Sequence, residues 1–190
     1  IAALKGEIAG LEARVVELDE LAHRDTLCPA ANRRGMMREL EKLIARRARY
    51  GEPAAVLFVD LDDLKVLNDS FGHDVGDTVL KHLALQMRDV SRIDDLPCRV
   101  GGEEFVILLP GAPRHIAAQV AERLRLLVES TELPNVGHIT ISQGVSSWPD
   151  GSSDMPTVFK QADDMLYAAK RAGRNRVEVF MPGRKVAETV

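Results

Sequence analysis

At 190 residues the chain accommodates one domain of ordinary size plus some extra length, and its 45% hydrophobic content is enough for a proper core. The net charge of -4 argues against a general nucleic-acid binder, which would usually be basic. No apolar run approaches the length needed to span a membrane, no signal peptide is visible and Ile1 is not an initiator, so the chain reads as a cytoplasmic fragment of something longer.

Residues 1–24 read as one helix. Leu4, Ile8, Leu11, Val15, Leu18 and Ala22 alternate spacings of four and three, the a/d seam of about three heptads. Lys5, Glu7, Glu12, Arg14, Glu17 and Glu20 fill the other faces. At ~1.5 Å per residue the helix spans roughly 36 Å. Gly6 and Gly10 weaken it by ~1 kcal/mol each relative to alanine. The seam predicts a parallel, dimerising coiled-coil stalk; the plainer alternative is a helix packed on its own domain. A globular domain is expected over 25–182, with 183–190 as a tail.

Residues 25–34 break the seam, because Pro29 cannot continue a helix and pushes Cys28 toward an extended conformation. Asp25, Arg33 and Arg34 read as ion-pair braces of this joint. Asn32 is a good N-cap for a helix through about Arg49, which Gly51 and Pro53 end. The apolar run 54–59 reads as a central strand running into Asp60, Leu61, Asp62 and Asp63. A helical turn to about Asp69 follows. Val75, Val79, Leu80, Leu83, Met87 and Val90 then mark an amphipathic helix of period 3.6. Beyond the next hairpin come a helix over 113–130, a strand over 138–146, a helix over 154–172 stopped by Gly173, and a strand over 177–180. Cys28 and Cys98 have no metal-ligand spacing and read as reduced, buried side chains.

The organising stretch lies in that hairpin, at 99–105. Gly101 and Gly102 sit between apolar runs, a turn signal because glycine reaches φ > 0 at no steric cost. Glu103 and Glu104 follow at once. Bare glycine lets a ligand approach the backbone, and two carboxylates supply hard oxygen ligands for Mg²⁺. Taken alone, the stretch could be a plain turn with two solvated glutamates. The element order gives an α+β fold with a ferredoxin-like βαββαβ core. Right-handed crossover makes the first two strands parallel, with the third antiparallel between them. The end of the first strand, Asp60, then lies beside the start of the third, Glu103.

These residues closely resemble the GGDEF family of diguanylate cyclases, with Gly101-Gly102-Glu103-Glu104-Phe105 as its GGEEF form. The resemblance covers about 25–180 and implies that the βαββαβ core is of the nucleotide-cyclase or palm kind. Asp60-Leu61-Asp62-Asp63-Leu64-Lys65-Val66-Leu67-Asn68-Asp69 is similar to the family's D-x-D-x-F-K-x-x-N-D stretch, and Phe71-Gly72-His73 through Gly76-Asp77 to its Y-G-H-x-x-G-D. Lys170, Gly173, Arg174 and Asn175 resemble its K-x-x-G-R-N, and Asp25, Leu27, Asn32, Arg33 and Arg34 its D-x-L-T-G-L-x-N-R-R entry. Cys28-Pro29-Ala30 departs from the usual T-G-L, Leu64 from phenylalanine, and Gln143 from an apolar residue.

The resemblance implies condensation of two GTP into cyclic di-GMP plus two pyrophosphates across a homodimer. It implies that Asp60, the Leu61 carbonyl, Glu103 and Glu104 hold two Mg²⁺ per site, with Mn²⁺ able to substitute. Glu103, Lys65 and Asp60 would be the catalytic residues. Asn68, His73 and Asp77 would lie at the guanine, and Lys65, Lys170 and Arg174 at the phosphates. The R-x-x-D spacing of Arg92 and Asp95, with Arg123, matches the family's product-inhibition site, where cyclic di-GMP acts as inhibitor. The alternative carried beside this is a catalytically inactive nucleotide-binding signalling module.

Overall fold

The computed structural model describes residues 2–149 and 154–183. All but the first residue of the expected tail therefore lies outside the described residues. The chain runs α1 (Ala2–Ala22), α2 (Arg33–Tyr50), β1 (Ala54–Leu61), α3 (Leu64–Phe71), α4 (His73–Val90), β2 (Leu96–Arg99) and β3 (Glu104–Pro110). It continues through α5 (Arg114–Ser130), β4 (Glu132–Leu133), β5 (Gly137–His138), β6 (Ile141–Trp148), α6 (Met155–Arg171) and β7 (Val177–Val179).

The main sheet has the order β2-β3-β1-β6-β7. β1 is antiparallel to both of its neighbours, and β7 adds in parallel to β6. Taken in chain order, the four core strands β1, β2, β3 and β6 lie as fourth, first, third, second, which is the split βαβ plan expected. Alternation along β1 sorts the two layers. Ala55, Leu57, Val59 and Leu61 join Val79, Leu83 and Met87 of α4 and Ala117, Ala121 and Leu124 of α5 in one core cluster. Ala54 and Val56 point the other way, into a second cluster with Met36, Leu40 and Leu43 of α2 and Val158 and Ala162 of α6. A strand covered on both faces has to be apolar throughout, and residues 54–59 are.

Local signals account for most of the boundaries. Asn32 caps α2 by accepting the Gly35 N–H at 3.0 Å, and Gly51 ends it in the left-handed region at φ 69°. The small β4–β5 hairpin was not anticipated; its strands are two residues each, too short for an alternation signal. As a result β6 starts at Ile141 rather than at residue 138, and it runs on to Trp148. Gln143 is fully buried on the α5 side of β6; its amide nitrogen donates to the Ala121 carbonyl at 2.8 Å, while its Oε1 atom is buried without a partner.

The joint after α1 differs from the ion-pair brace expected. Asp25 pairs with Arg99 at 3.2 Å, while Arg33 and Arg34 are exposed. The Asp25 carboxylate also accepts the N–H groups of Leu27 and Cys28, so the turn closes despite Cys28-Pro29-Ala30. Ala31 is bonded along the edge strand β2: its N–H donates to Pro97 and its carbonyl accepts from Arg99, at 3.0 and 2.8 Å. Asn32 donates to the carbonyls of Ala22 and Arg24 at 2.8 and 2.9 Å. On α1 itself the side chains of Leu4, Ile8, Leu11, Val15 and Leu18 are each more than half exposed.

Gly144 lets α6 settle on the sheet. A Cβ there would stand 2.0 Å from the Ala162 carbonyl oxygen and 2.2 Å from the Leu166 nitrogen, both helix backbone that cannot give way. Gly144→Ala should therefore push α6 off β6 and destabilise the fold by about 3 kcal/mol. Urea unfolding of the two proteins checks this; an unchanged midpoint would contradict it.

Candidate active site

The carboxyl end of β1 and the turn between β2 and β3 meet at one end of the sheet. Asp60 lies opposite Glu104 in the β1–β3 register and opposite Ser142 in the β1–β6 register. At the last register position shared with β3, and one short of the end of the β6 ladder, Asp60 is only 2% exposed. Burial pushes its carboxyl up to about 6; the Lys170 ammonium at 2.8 Å draws it back in part, and Glu103 and Glu104 push the same way as burial.

Around this acid is a cleft of about 380 Å³, lined by Asp60, Leu64, Asn68, Asp77, Leu80, Arg99, Gly102, Glu103, Glu104 and Lys170. Six residues singled out from sequence thus share one lining: Asp60, Asn68, Asp77, Glu103, Glu104 and Lys170. α3 and α4 supply Asn68 and Asp77 to one wall; β1 supplies Asp60, the hairpin Glu103 and Glu104, and the last turn of α6 Lys170. Lys65 and His73, each in the first turn of its helix, are exposed and stand outside that lining. Arg174 stands outside it too, with its guanidinium 3.5 Å from Asp63. Leu61 is buried, so only its main chain is available to a ligand.

The glycines of the turn act differently from the reason first given for them. Neither Gly101 nor Gly102 has a positive φ. What Gly101 provides is room: a Cβ would meet the Glu104 carboxylate at 2.4 Å, whereas at Gly102 the space is open. Arg99 is the residue that sequence reading passed over. Its Nη2 and Nε donate to the Gly102 carbonyl at 2.8 and 3.3 Å while Nη1 reaches Asp25, so one side chain braces the turn against the joint. Its place directly before the signature was the signal available.

On the opposite wall the Asn68 Oδ1 atom is buried and has no hydrogen-bond partner. It fits against Gly76, where a Cβ would stand 1.9 Å from that oxygen. A buried amide left unsatisfied beside an open cleft is suited to a ligand with donors of its own.

Among the described residues no three His, Cys, Asp or Glu side chains form a ready metal cage. Mg²⁺ does not require one, since it binds through one or two carboxylates together with substrate phosphates. Asp60 and the two glutamates at the mouth of one cleft fit that pattern, and Lys170 already supplies a cationic partner for Asp60.

The residues of the expected inhibitory site cluster at the other end of α4, roughly 26 Å along the helix. The Asp95 carboxylate accepts the Arg92 N–H at 2.7 Å. Burial raises the Asp95 carboxyl, against the pull of Arg92 and Arg123. Arg123 donates to the Val90 carbonyl.

Residues 22–176 match the family described as "Diguanylate cyclase, GGDEF domain". The chain belongs to this family. It is 42% identical over 165 residues to the response regulator PleD of Caulobacter vibrioides, covering 83% of this chain and 36% of that protein. It is 36% identical over 165 residues to a diguanylate cyclase of Vibrio cholerae, covering 86% of this chain and 51% of the relative. The chain thus spans about a third to a half of the length of these two curated relatives, at 36% and 51%. Among solved structures, the coiled coil and GGDEF domain of DgcB from Caulobacter crescentus, in complex with c-di-GMP, superposes with a TM-score of 0.87. The identity is 30%, over 94% of this chain and 96% of that one. This GGDEF domain shares with DgcB both the α+β fold and the N-terminal helix.

Proposed function

We propose that this GGDEF domain is a diguanylate cyclase, joining two GTP into cyclic di-GMP. The observation that carries the reading is the cleft that unites the acids Asp60, Glu103 and Glu104 with Lys170 and with the amide and acid Asn68 and Asp77. Guanine presents N1–H and N2–H donors, which Asp77 and the unpartnered Asn68 oxygen accept, and His73 stands at the start of the same helix. Lys170, Arg174 and Lys65 take the phosphates. Asp60, the Leu61 carbonyl, Glu103 and Glu104 would hold two Mg²⁺, or Mn²⁺ in their place, which lower the pKa of the attacking hydroxyl and neutralise the leaving group.

Glu103 accepts the proton of a 3′-hydroxyl as that oxygen bonds to the α-phosphorus of the facing GTP. The bond to the β-phosphate breaks and pyrophosphate leaves; a second such exchange closes the ring. One domain carries half of this reaction, so two must face each other. The seam on α1 supports that arrangement. Asp19, paired with Arg38 on α2, and His23, which accepts from Asn32, each follow a seam residue by one position. The seam side chains Leu4, Ile8, Leu11, Val15 and Leu18 are each more than half exposed, which supports pairing of this face with a second copy. A GTP-consuming domain fits the cytoplasm, and among the described residues no helix is long and apolar enough to cross a membrane. Arg92, Asp95 and Arg123 form the product-inhibition site of this reading. Their guanidinium groups suit a guanine edge or a phosphate, and Asp95 suits guanine N1–H and N2–H.

Incubation with GTP and Mg²⁺ followed by chromatography should yield cyclic di-GMP, and its absence would refute the reading. Asp60→Asn and Glu103→Gln should each cut product formation by roughly a hundredfold or more while the melting temperature stays near that of the parent. Replacing Leu11 and Leu18 by glutamate should give a monomer at micromolar concentration in sedimentation, with activity rising steeply with protein concentration; a parent chain that is monomeric yet fully active when dilute would oppose this. Arg92→Ala should leave initial turnover intact and weaken inhibition by added cyclic di-GMP. Equal calorimetric affinity for cyclic di-GMP in Arg92→Ala and parent would reduce the cluster to a surface ion pair.

A further inference from the structure

The acidic run at the end of β1 meets the last turn of α6 and the loop that follows it at three points. Asp60 pairs with Lys170 at 2.8 Å, and Asp63 with Arg174 at 3.5 Å. Both contacts engage cations that the proposed triphosphate would draw upon. Asp62, between them, takes neutral donors instead. Its carboxylate accepts the Thr140 hydroxyl at 2.8 Å, the Ser142 hydroxyl at 2.7 Å and the Asn175 main-chain N–H at 3.0 Å.

That N–H belongs to an unusual piece of backbone. Gly173, Arg174 and Asn175 have φ of 110°, 62° and 45° in succession. Residues with side chains rarely enter this region, and two in a row persist only where their surroundings impose it. Asn175 is fixed on its other side as well: its amide nitrogen donates to Glu129 at 2.6 Å and its amide oxygen accepts from Arg125 at 3.0 Å, both on α5. Arg174 itself is half exposed, and its pair with Asp63 is long. The left-handed backbone at Arg174 fixes where its side chain leaves the turn.

We propose that Asp62 is a positioning residue for the phosphate side of the cleft. By accepting the Asn175 N–H it imposes the left-handed turn that aims Arg174, and it keeps that turn in place when phosphates take Lys170 and Arg174 away from Asp60 and Asp63. The proposal rests on the GTP reading above. It also explains why Asp60 and Asp63 alone would not serve: their partners leave on binding, whereas a main-chain N–H does not. An amide at this position would still accept that N–H with its oxygen, because the Ser142 hydroxyl can turn round and accept from the amide nitrogen.

Calorimetry on the intact chain in Mg²⁺ buffer tests this, with 3′-deoxy-GTP, which lacks the attacking hydroxyl, and guanosine as the two probes. Asp62→Ala should weaken 3′-deoxy-GTP by about tenfold, the loss of one charge-assisted contact to phosphate, and leave guanosine within about twofold. Asp62→Asn should recover most of the loss. Unchanged affinity of Asp62→Ala for 3′-deoxy-GTP would overturn the proposal. So would equal losses for both probes, which would mark general disorder of the cleft, or an Asp62→Asn protein no better than Asp62→Ala. If the parent chain binds neither probe, the GTP reading falls and this proposal with it. If the parent binds 3′-deoxy-GTP and Asp62→Ala matches it, the role of Asp62 alone falls.

Discussion

A carboxylate buried at the end of the central strand sets the terms for the rest of the molecule. The main chain stays bonded just beyond Asp60, from the Leu61 and Asp62 N–H groups to the Glu103 and Thr140 carbonyls, and the Asp60 side chain is buried. Lys170 at 2.8 Å offsets the cost only in part, because the Asp60 carboxyl still stands at about 6. A buried ion pair of this kind is weak evidence of stability, since an apolar residue would serve a core better. The unfavourable charge is instead held beside an open cleft, with two more carboxylates on the next turn. Every element around it can be read by what it does for this position: β3 brings the glutamates, α3 and α4 the opposite wall, and α6 the counter-charge.

Counter-charge at that place demands close packing elsewhere. Lys170 sits in the last turn of α6, and α6 reaches the sheet by laying its backbone directly on Gly144. The distance from helix axis to sheet is therefore fixed by a missing side chain two residues along β6 from Ser142, the register partner of Asp60. Core geometry and site geometry are one constraint here.

Much of this was legible in the sequence because it is carried by periodicity and by local chemistry. The apolar run 54–59, the 3.6-residue pattern of α4 and the Asn32 cap each specify an element without help from the rest of the chain. Convergence of Asp60 with the Gly-Gly-Glu-Glu turn followed from the handedness of crossover connections. What was not legible depends on distance in three dimensions. Asp25 finds Arg99 rather than the arginines nearby in sequence, because Ala31 has joined β2 and brought the joint alongside the hairpin. The turn glycines were read for their backbone freedom, yet neither has a positive φ, and a Cβ at Gly101 would crowd the Glu104 carboxylate. Lys65 and His73 belong to the right helices but are exposed and lie outside the cleft lining.

The stitching of Ala31 to the edge strand has a mechanical meaning. Asn32 ties the carbonyls of Ala22 and Arg24, Ala31 ties Pro97 and Arg99, and Arg99 ties Gly102, so a chain of short bonds runs from the end of α1 to the signature turn. Such a joint has little backlash. Torque on the helix is delivered to the whole head instead of being absorbed in a slack linker. For two chains joined along α1, the angle between the heads then becomes a property of helical pitch, and each residue of phase is worth about 100°.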